Sequence, residues 1–244
     1  MVDVLPISKL MATTWNPNGT NETNNNALLK ILPEVNNIKS KVWYIKTIGN
    51  LGNAFIGIDS IKSDSLIRLA LEESQKNNLK FLEMHNLSRV AGSYINKKDY
   101  ATAIDLLKKS NAYFEMIGEK RVCSENMAGL AEVYLIKSQI DSTYLDSAQV
   151  YADLSLQKAF EIEYQTKILG SYYQQYLINK ERGDSKNAIN YLEKFVALND
   201  SIYGQNATSK IVGIAIKQRD EIAEAKLKIK DSEVARQRIY SYAA

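Results

Sequence analysis

The sequence predicts an all-α protein: an α-solenoid of about four antiparallel helix pairs with extended repeats of about 40 residues, followed by a long C-terminal helix. Three observations carry that expectation. A small residue stands between an aliphatic and, three residues on, an aromatic in Leu51-Gly52-x-x-Phe55, Val90-Ala91-x-x-Tyr94, Leu130-Ala131-x-x-Tyr134 and Leu169-Gly170-x-x-Tyr173, with the small residues 39, 40 and 39 apart. A fixed period of that length marks stacked supersecondary units rather than one globular core. From about Ala27 to Tyr203 apolar residues recur at three- and four-residue spacing and Pro33 is the only proline, which reads as helix throughout. No run alternates with the period of two that a half-buried strand requires.

Taken in order, residues 1–26 hold the other two prolines and the run Asn16-Pro-Asn-Gly-Thr-Asn-Glu-Thr-Asn-Asn-Asn26. That run is too polar to bury anything and rich in turn formers, so it is expected to be a tail. The repeat domain is expected over 27–203, with one helix at about 26–38 ahead of the four pairs. Breaks fall at Asp59-Ser60, Asn77-Asn78, Asn96 to Asp99, Gly118, Ser138 to Ser142 and Arg182 to Asp184. Within a pair, a small residue lets the second helix approach closely and the aromatic one turn later fills the wedge beside it. The second helices carry their own small residues, in Ala103 with Leu107, Ala148 with Ala152 and Ala188 with Leu192, while Leu66 with Ala70 has the sizes reversed. Over 204–244, Ile222, Ala225, Ile229, Ser232, Arg236 and Ile239 form a weak heptad. That helix is expected either to cap the array or to pair with a second copy as a homodimer.

Composition narrows the function classes. A 45% hydrophobic, 24% charged balance over 244 residues is ordinary for a soluble protein. A net charge of +3, with basic and acidic residues interspersed, leaves no electrostatic footprint for nucleic acid. The single cysteine, Cys123, excludes an internal disulfide and a multi-cysteine metal site. No stretch reaches 18 consecutive apolar residues, and Met1 to Leu10 has neither the basic leader nor the apolar run of a signal peptide. The helical pattern runs to Ala244 without a capping Gly or Asn. With His85 the only histidine, any Ser-His or Cys-His mechanism must use it, and it stands on a different repeat from Cys123. Phosphate-loop, dinucleotide and zinc-protease motifs are absent. Glu125 and Glu132 lie two turns apart on one helical face, about 10.5 Å by helix rise, and read as a surface stripe. A non-catalytic segment with no cofactor and no metal is expected.

The spacing of aliphatic, small and aromatic residues on one helix, then alanine and a large apolar residue on the next, resembles the tetratricopeptide repeat family. Val90, Ala91, Tyr94, Tyr100, Ala103, Leu107 and Ser110 fall at that family's own spacing. Other repeats are longer than its 34-residue period, and its closing proline is missing throughout. The stretch Gly183 to Tyr203, with the charged helix beyond it, resembles the end of the sensor region in bacterial tetratricopeptide-containing histidine kinases and transcriptional regulators. The resemblance implies binding of a peptide or protein ligand, an extracytoplasmic position, and a membrane span beyond the C-terminus. A free-standing scaffold or adaptor, with cytoplasmic placement, is the alternative. Groove positions carried over from the family are Lys46, Asn53, His85, Asn96, Glu125, Glu132, Lys167 and Gln174. Each of them also has a plainer reading as part of a solvated face, and a lone histidine near a helix start is more often a surface or capping residue.

Overall fold

The computed structural model describes residues 35–203 apart from 37 and 57. Among the described residues there are eight α-helices and no strand: α1 Lys41–Ala54, α2 Ser60–Lys76, α3 Lys80–Asn96, α4 Tyr100–Met116, α5 Lys120–Ser138, α6 Tyr144–Glu161, α7 Gln165–Glu181 and α8 Ser185–Tyr203. The expected breaks all fall between these helices. The tail over 1–26, nearly all of the helix expected at 26–38, and the long helix from 205 lie outside the described residues. Two compact units meet at Gln174 and Gln175, so α1 to α6 and the first part of α7 form one, and the rest of α7 with α8 belongs to the other. No helix among the described residues is long and apolar enough to cross a membrane.

Five of the connections use one device. The N–H groups of Leu79, Asp99, Glu119, Tyr164 and Asp184 each donate to the carbonyl five residues back, at 2.9 Å. The residue just before each of them, Asn78, Lys98, Gly118, Glu163 and Gly183, takes a left-handed φ between 52° and 78°. This is the Schellman closure, which satisfies carbonyls that a helix end would otherwise leave open. Asp99 and Asp184 then open the next helix, accepting from the N–H of Thr102 at 3.2 Å and of Asn187 at 3.1 Å. Asp59 caps α2 in the same way, accepting from Lys62 N at 3.0 Å.

Close approach at the first small residue is as the spacing requires. A Cβ on Gly52 would stand 2.6 Å from Ile67 Cγ1 and 3.0 Å from the Ile67 backbone nitrogen, and Phe55 is fully buried one turn on. Ala91 and Ala131 are likewise buried. Tyr134 stacks on Tyr151 with ring centroids 5.4 Å apart. The fourth motif does not do this work. α5 and α6 run to 19 and 18 residues against 17 each in α3 and α4, and are joined by a longer connection than that pair, so the first helices of successive pairs start 39, 40 and 45 residues apart, at Lys41, Lys80, Lys120 and Gln165. Gly170 therefore sits six residues nearer its helix start than Gly52, Ala91 and Ala131 do. A Cβ there meets nothing within 4 Å, and Tyr173 is 44% exposed. The third step of 39 in the sequence is a coincidence of composition, not of packing.

From α1 to α7, small polar side chains tie each helix to the next. Ser63 Oγ donates to the Gly52 carbonyl at 2.8 Å, joining α1 and α2. Asn86 Nδ2 reaches Ser74 Oγ at 3.0 Å between α2 and α3, Ser110 Oγ reaches the Met84 carbonyl at 2.9 Å between α3 and α4, and Asn126 Nδ2 reaches Ser110 Oγ at 3.0 Å between α4 and α5. Ser124 and Ser155 each donate to the other's carbonyl at 2.9 Å, joining α5 to α6, and Ser155 Oγ lies 3.3 Å from Ser171 Oγ on α7. All of these side chains are buried, where an unmade hydrogen bond is expensive and a made one selects one register.

Candidate functional site

Lys46, His85 and Glu125 hold the same place in α1, α3 and α5; Asn50, Arg89 and Gly129 follow one turn later, and Asn53, Gly92 and Glu132 a further turn on. Residues at this spacing share one face of a helix. The three helices bring these nine residues together as the wall of one concave cavity of about 790 Å³, together with Phe81, Arg121, Tyr164 and Lys167 among others. That volume is within the range of about 300–1,000 Å³ common for ligand clefts. A second cavity of about 690 Å³ opens beside it and shares Ile56, Arg89, Gly92, Ile95 and Glu132 with the first.

Of the eight residues expected in a groove, Lys46, Asn53, His85, Glu125, Glu132 and Lys167 line the first cavity. Asn96 does not. It lines the neighbouring cavity, and Gly92 occupies the place on α3 that matches Asn53 and Glu132. Gln174 is also elsewhere: its Nε2 donates to the Ala128 carbonyl at 2.9 Å, and its Oε1 is buried with no hydrogen-bond partner among the described residues. Counted from the start of α7, Gln174 holds the place of Asn50, Arg89 and Gly129, not that of Asn53, Gly92 and Glu132.

Arg89, Asn50 and Arg121 were missed by the sequence reading. Their signal was present as one-turn steps from Lys46, His85 and Glu125, whereas the two-turn step passed over the middle row. Arg89 is the most constrained of them. Its Nη2 donates to Asn50 Oδ1 at 2.7 Å and its Nη1 to Asn86 Oδ1 at 3.2 Å. Gly49 makes this possible, since a Cβ there would stand 2.5 Å from Nη1 and 2.8 Å from Asn86 Oδ1. Burial lowers the Arg89 pKa to about 10, with Arg121 pushing the same way and Glu125 opposing.

Four cations, Lys46, Arg89, Arg121 and Lys167, face two carboxylates, Glu125 and Glu132. Arg121 lies 3.8 Å from Glu125, and the Tyr164 hydroxyl donates to the same carboxylate at 3.5 Å. Burial lowers the Lys167 pKa against the pull of Glu125 and Glu132. Desolvation raises that of Glu132 against Lys167, in a residue that still keeps an exposed surface. His85 is neither a cap nor a free surface group: its ring packs edge-on to Phe114 at 6.3 Å and near Phe81 at 6.4 Å. Burial, followed by Arg89, Arg121 and Lys46, depresses its pKa to about 3, so it is neutral and a hydrogen-bonding group at neutral pH. Cys123 is buried in an apolar cluster with Met84, Leu87, Phe114 and Val122. No cluster of metal-ligating side chains occurs among the described residues.

No family model matches this sequence, and no curated protein matches it. Solved structures do match in fold. BtubC (BKLC) from P. vanneervenii superposes with a TM-score of 0.59 at 14% identity, over 83% of this chain and 82% of that one. A signal transduction ATPase with numerous domains from Pyrococcus horikoshii, which has a tetratricopeptide repeat sensor, gives 0.52 at 18% identity, over 91% of this chain and 31% of that one. A kinesin light chain of Podosopora anserina with nearly identical tetratricopeptide-like repeats gives 0.51 at 14% identity, over 84% and 100%. At these identities the likeness is one of fold alone. The chain is an all-α, tetratricopeptide-like solenoid.

Proposed function

We propose that this repeat region binds an extended peptide or protein segment in the cavity formed by α1, α3 and α5, as the sensor region of a bacterial membrane signalling protein. The observation that carries the binding reading is the cavity itself. It is a ligand-sized concavity whose wall is built from residues at matching places on three successive first helices, most of them polar or charged, where a solvated face would need no concavity. Gly92 supports it, because a Cβ there meets nothing within 4 Å and leaves room for a ligand backbone to come close. The tetratricopeptide sensor of the Pyrococcus horikoshii ATPase supports the sensor reading. In that reading ligand binding alters the pairing of the helix over 204–244, with a membrane span beyond it and the repeats on the extracytoplasmic side. The free-standing scaffold is favoured by BtubC, a chain that this fold covers for 82% of its length.

The test is capture of peptides from a random dodecapeptide array by the wild-type chain and by Gly92→Trp. The indole fills open space, so folding stability should move by no more than about 0.5 kcal/mol. Peptide capture should fall at least about tenfold, by steric block of the cavity. Equal capture by both proteins would remove the cavity from the function.

A further inference from the structure

A guanidinium drawn partly out of water is costly unless a counter-ion accompanies it. Half-buried Arg89 has none within ion-pair distance among the described residues. Its Nη atoms are held by two neutral carboxamides, Asn50 and Asn86, with Gly49 clearing the space. Glu125 acts on it only from beyond ion-pair distance, being itself engaged by Arg121 and Tyr164. The side chain is therefore oriented and half-buried before any partner arrives, and a guanidinium in that state is matched best by a carboxylate. Lys46 on α1 adds positive charge on one side, whereas on the α5 side Glu125 and Glu132 already balance Arg121 and Lys167, which leaves less to attract acid there. Both cavities share Arg89, so a chain can pass over it and continue.

We infer that Arg89 is the seat for an aspartate or glutamate side chain within an acidic protein segment that runs through the cavity, with its acidic residues over α1 and α3. This deepens the groove reading and rests on it. Charge complementarity commits the occupant to an internal acidic side chain rather than a chain end, because the concavity continues on both sides of the guanidinium.

The experiment measures fluorescence anisotropy of three end-blocked dodecapeptides of identical spacing, carrying glutamate, glutamine or lysine at alternate positions, against the full chain. The glutamate peptide should bind at least about tenfold more tightly than the glutamine peptide. Raising salt from 50 to 300 mM should weaken it, and Arg89→Gln should erase the preference. Lys46→Gln, on an exposed side chain that cannot unfold the protein, should weaken the glutamate peptide a few-fold, which keeps the inference testable should Arg89→Gln misfold. A structural Arg89 would lower thermal stability on replacement by glutamine, whereas the uncompensated charge proposed here leaves it unchanged or raised. Equal binding of all three peptides, or an Arg89→Gln protein that binds the glutamate peptide like wild type, overturns the inference. So does stronger binding of a free-carboxyl or phosphoserine version that depends on Arg89. Array peptides that bind in a Gly92→Trp-sensitive way without acidic preference would leave the groove reading standing and sink this one. No capture at all would sink both.

Discussion

His85 shows how far a single side chain is governed by its neighbours. Three cations, Arg89, Arg121 and Lys46, and the burial around its ring hold its pKa near 3, below the ordinary value of about 6.5. A depressed folded-state pKa means that the unfolded chain binds the proton first as pH falls. The native state is therefore unpenalised above pH 6.5 and loses stability progressively between there and about pH 3. His85→Gln should remove that part of the acid sensitivity. Urea midpoints at pH 7 and pH 4.5 should differ by less in the variant than in wild type, and an identical difference would mean that His85 titrates freely. Gly49 is the converse case, a residue whose lack of a side chain matters because Arg89 and Asn86 occupy the space beside it.

Between helices, register is held by buried hydroxyls and carboxamides as well as by apolar contact. Ser110 does two jobs, donating to the Met84 carbonyl and accepting from Asn126. Ser110→Ala should lower unfolding free energy by about 1–3 kcal/mol, because it strands a buried carboxamide; chemical denaturation measures it, and a loss near zero would show that the pair is replaceable. The turns offer a gain instead. Glu163 adopts φ 52°, a region that costs a non-glycine residue about 1–2 kcal/mol, where the matching turns before Glu119 and Asp184 use glycine. Glu163→Gly should raise the thermal midpoint, with the entropy of glycine in the unfolded chain taking back part of the benefit.

At the scale of the whole molecule, a repeat array with a ligand-sized cavity separates folding from recognition. Each helix pair is stabilised by its neighbours, and the residues facing the cavity are left to be charged. The sensor and scaffold readings part at the segment over 204–244. Under the sensor reading the full chain should sediment as a dimer, and removal of 205–244 should give a monomer. A monomer in both forms would place the scaffold first.

Helix content, the number of pairs and the position of each break were legible in the sequence, because periodicity, turn residues and the small-then-aromatic spacing are local properties of consecutive residues. Six of the eight groove residues reached one cavity, five of them for the same reason: in α1, α3 and α5 a fixed offset from the motif stays on a fixed face, whereas Lys167 enters from α7. Asn96 missed it where the offset slipped by four residues on α3, whereas Gln174, one turn before the place of Asn53 and Glu132 on its helix, is held by the Ala128 carbonyl. Arg89 and the buried Asn and Ser ties belong to the tertiary structure. Whether a guanidinium meets carboxamides or carboxylates, and whether a serine is buried, depends on atoms brought from 39 residues away in one case and 31 in another. Side-chain desolvation and hydrogen bonding across helices are set by packing, and packing is not a periodic property of the chain.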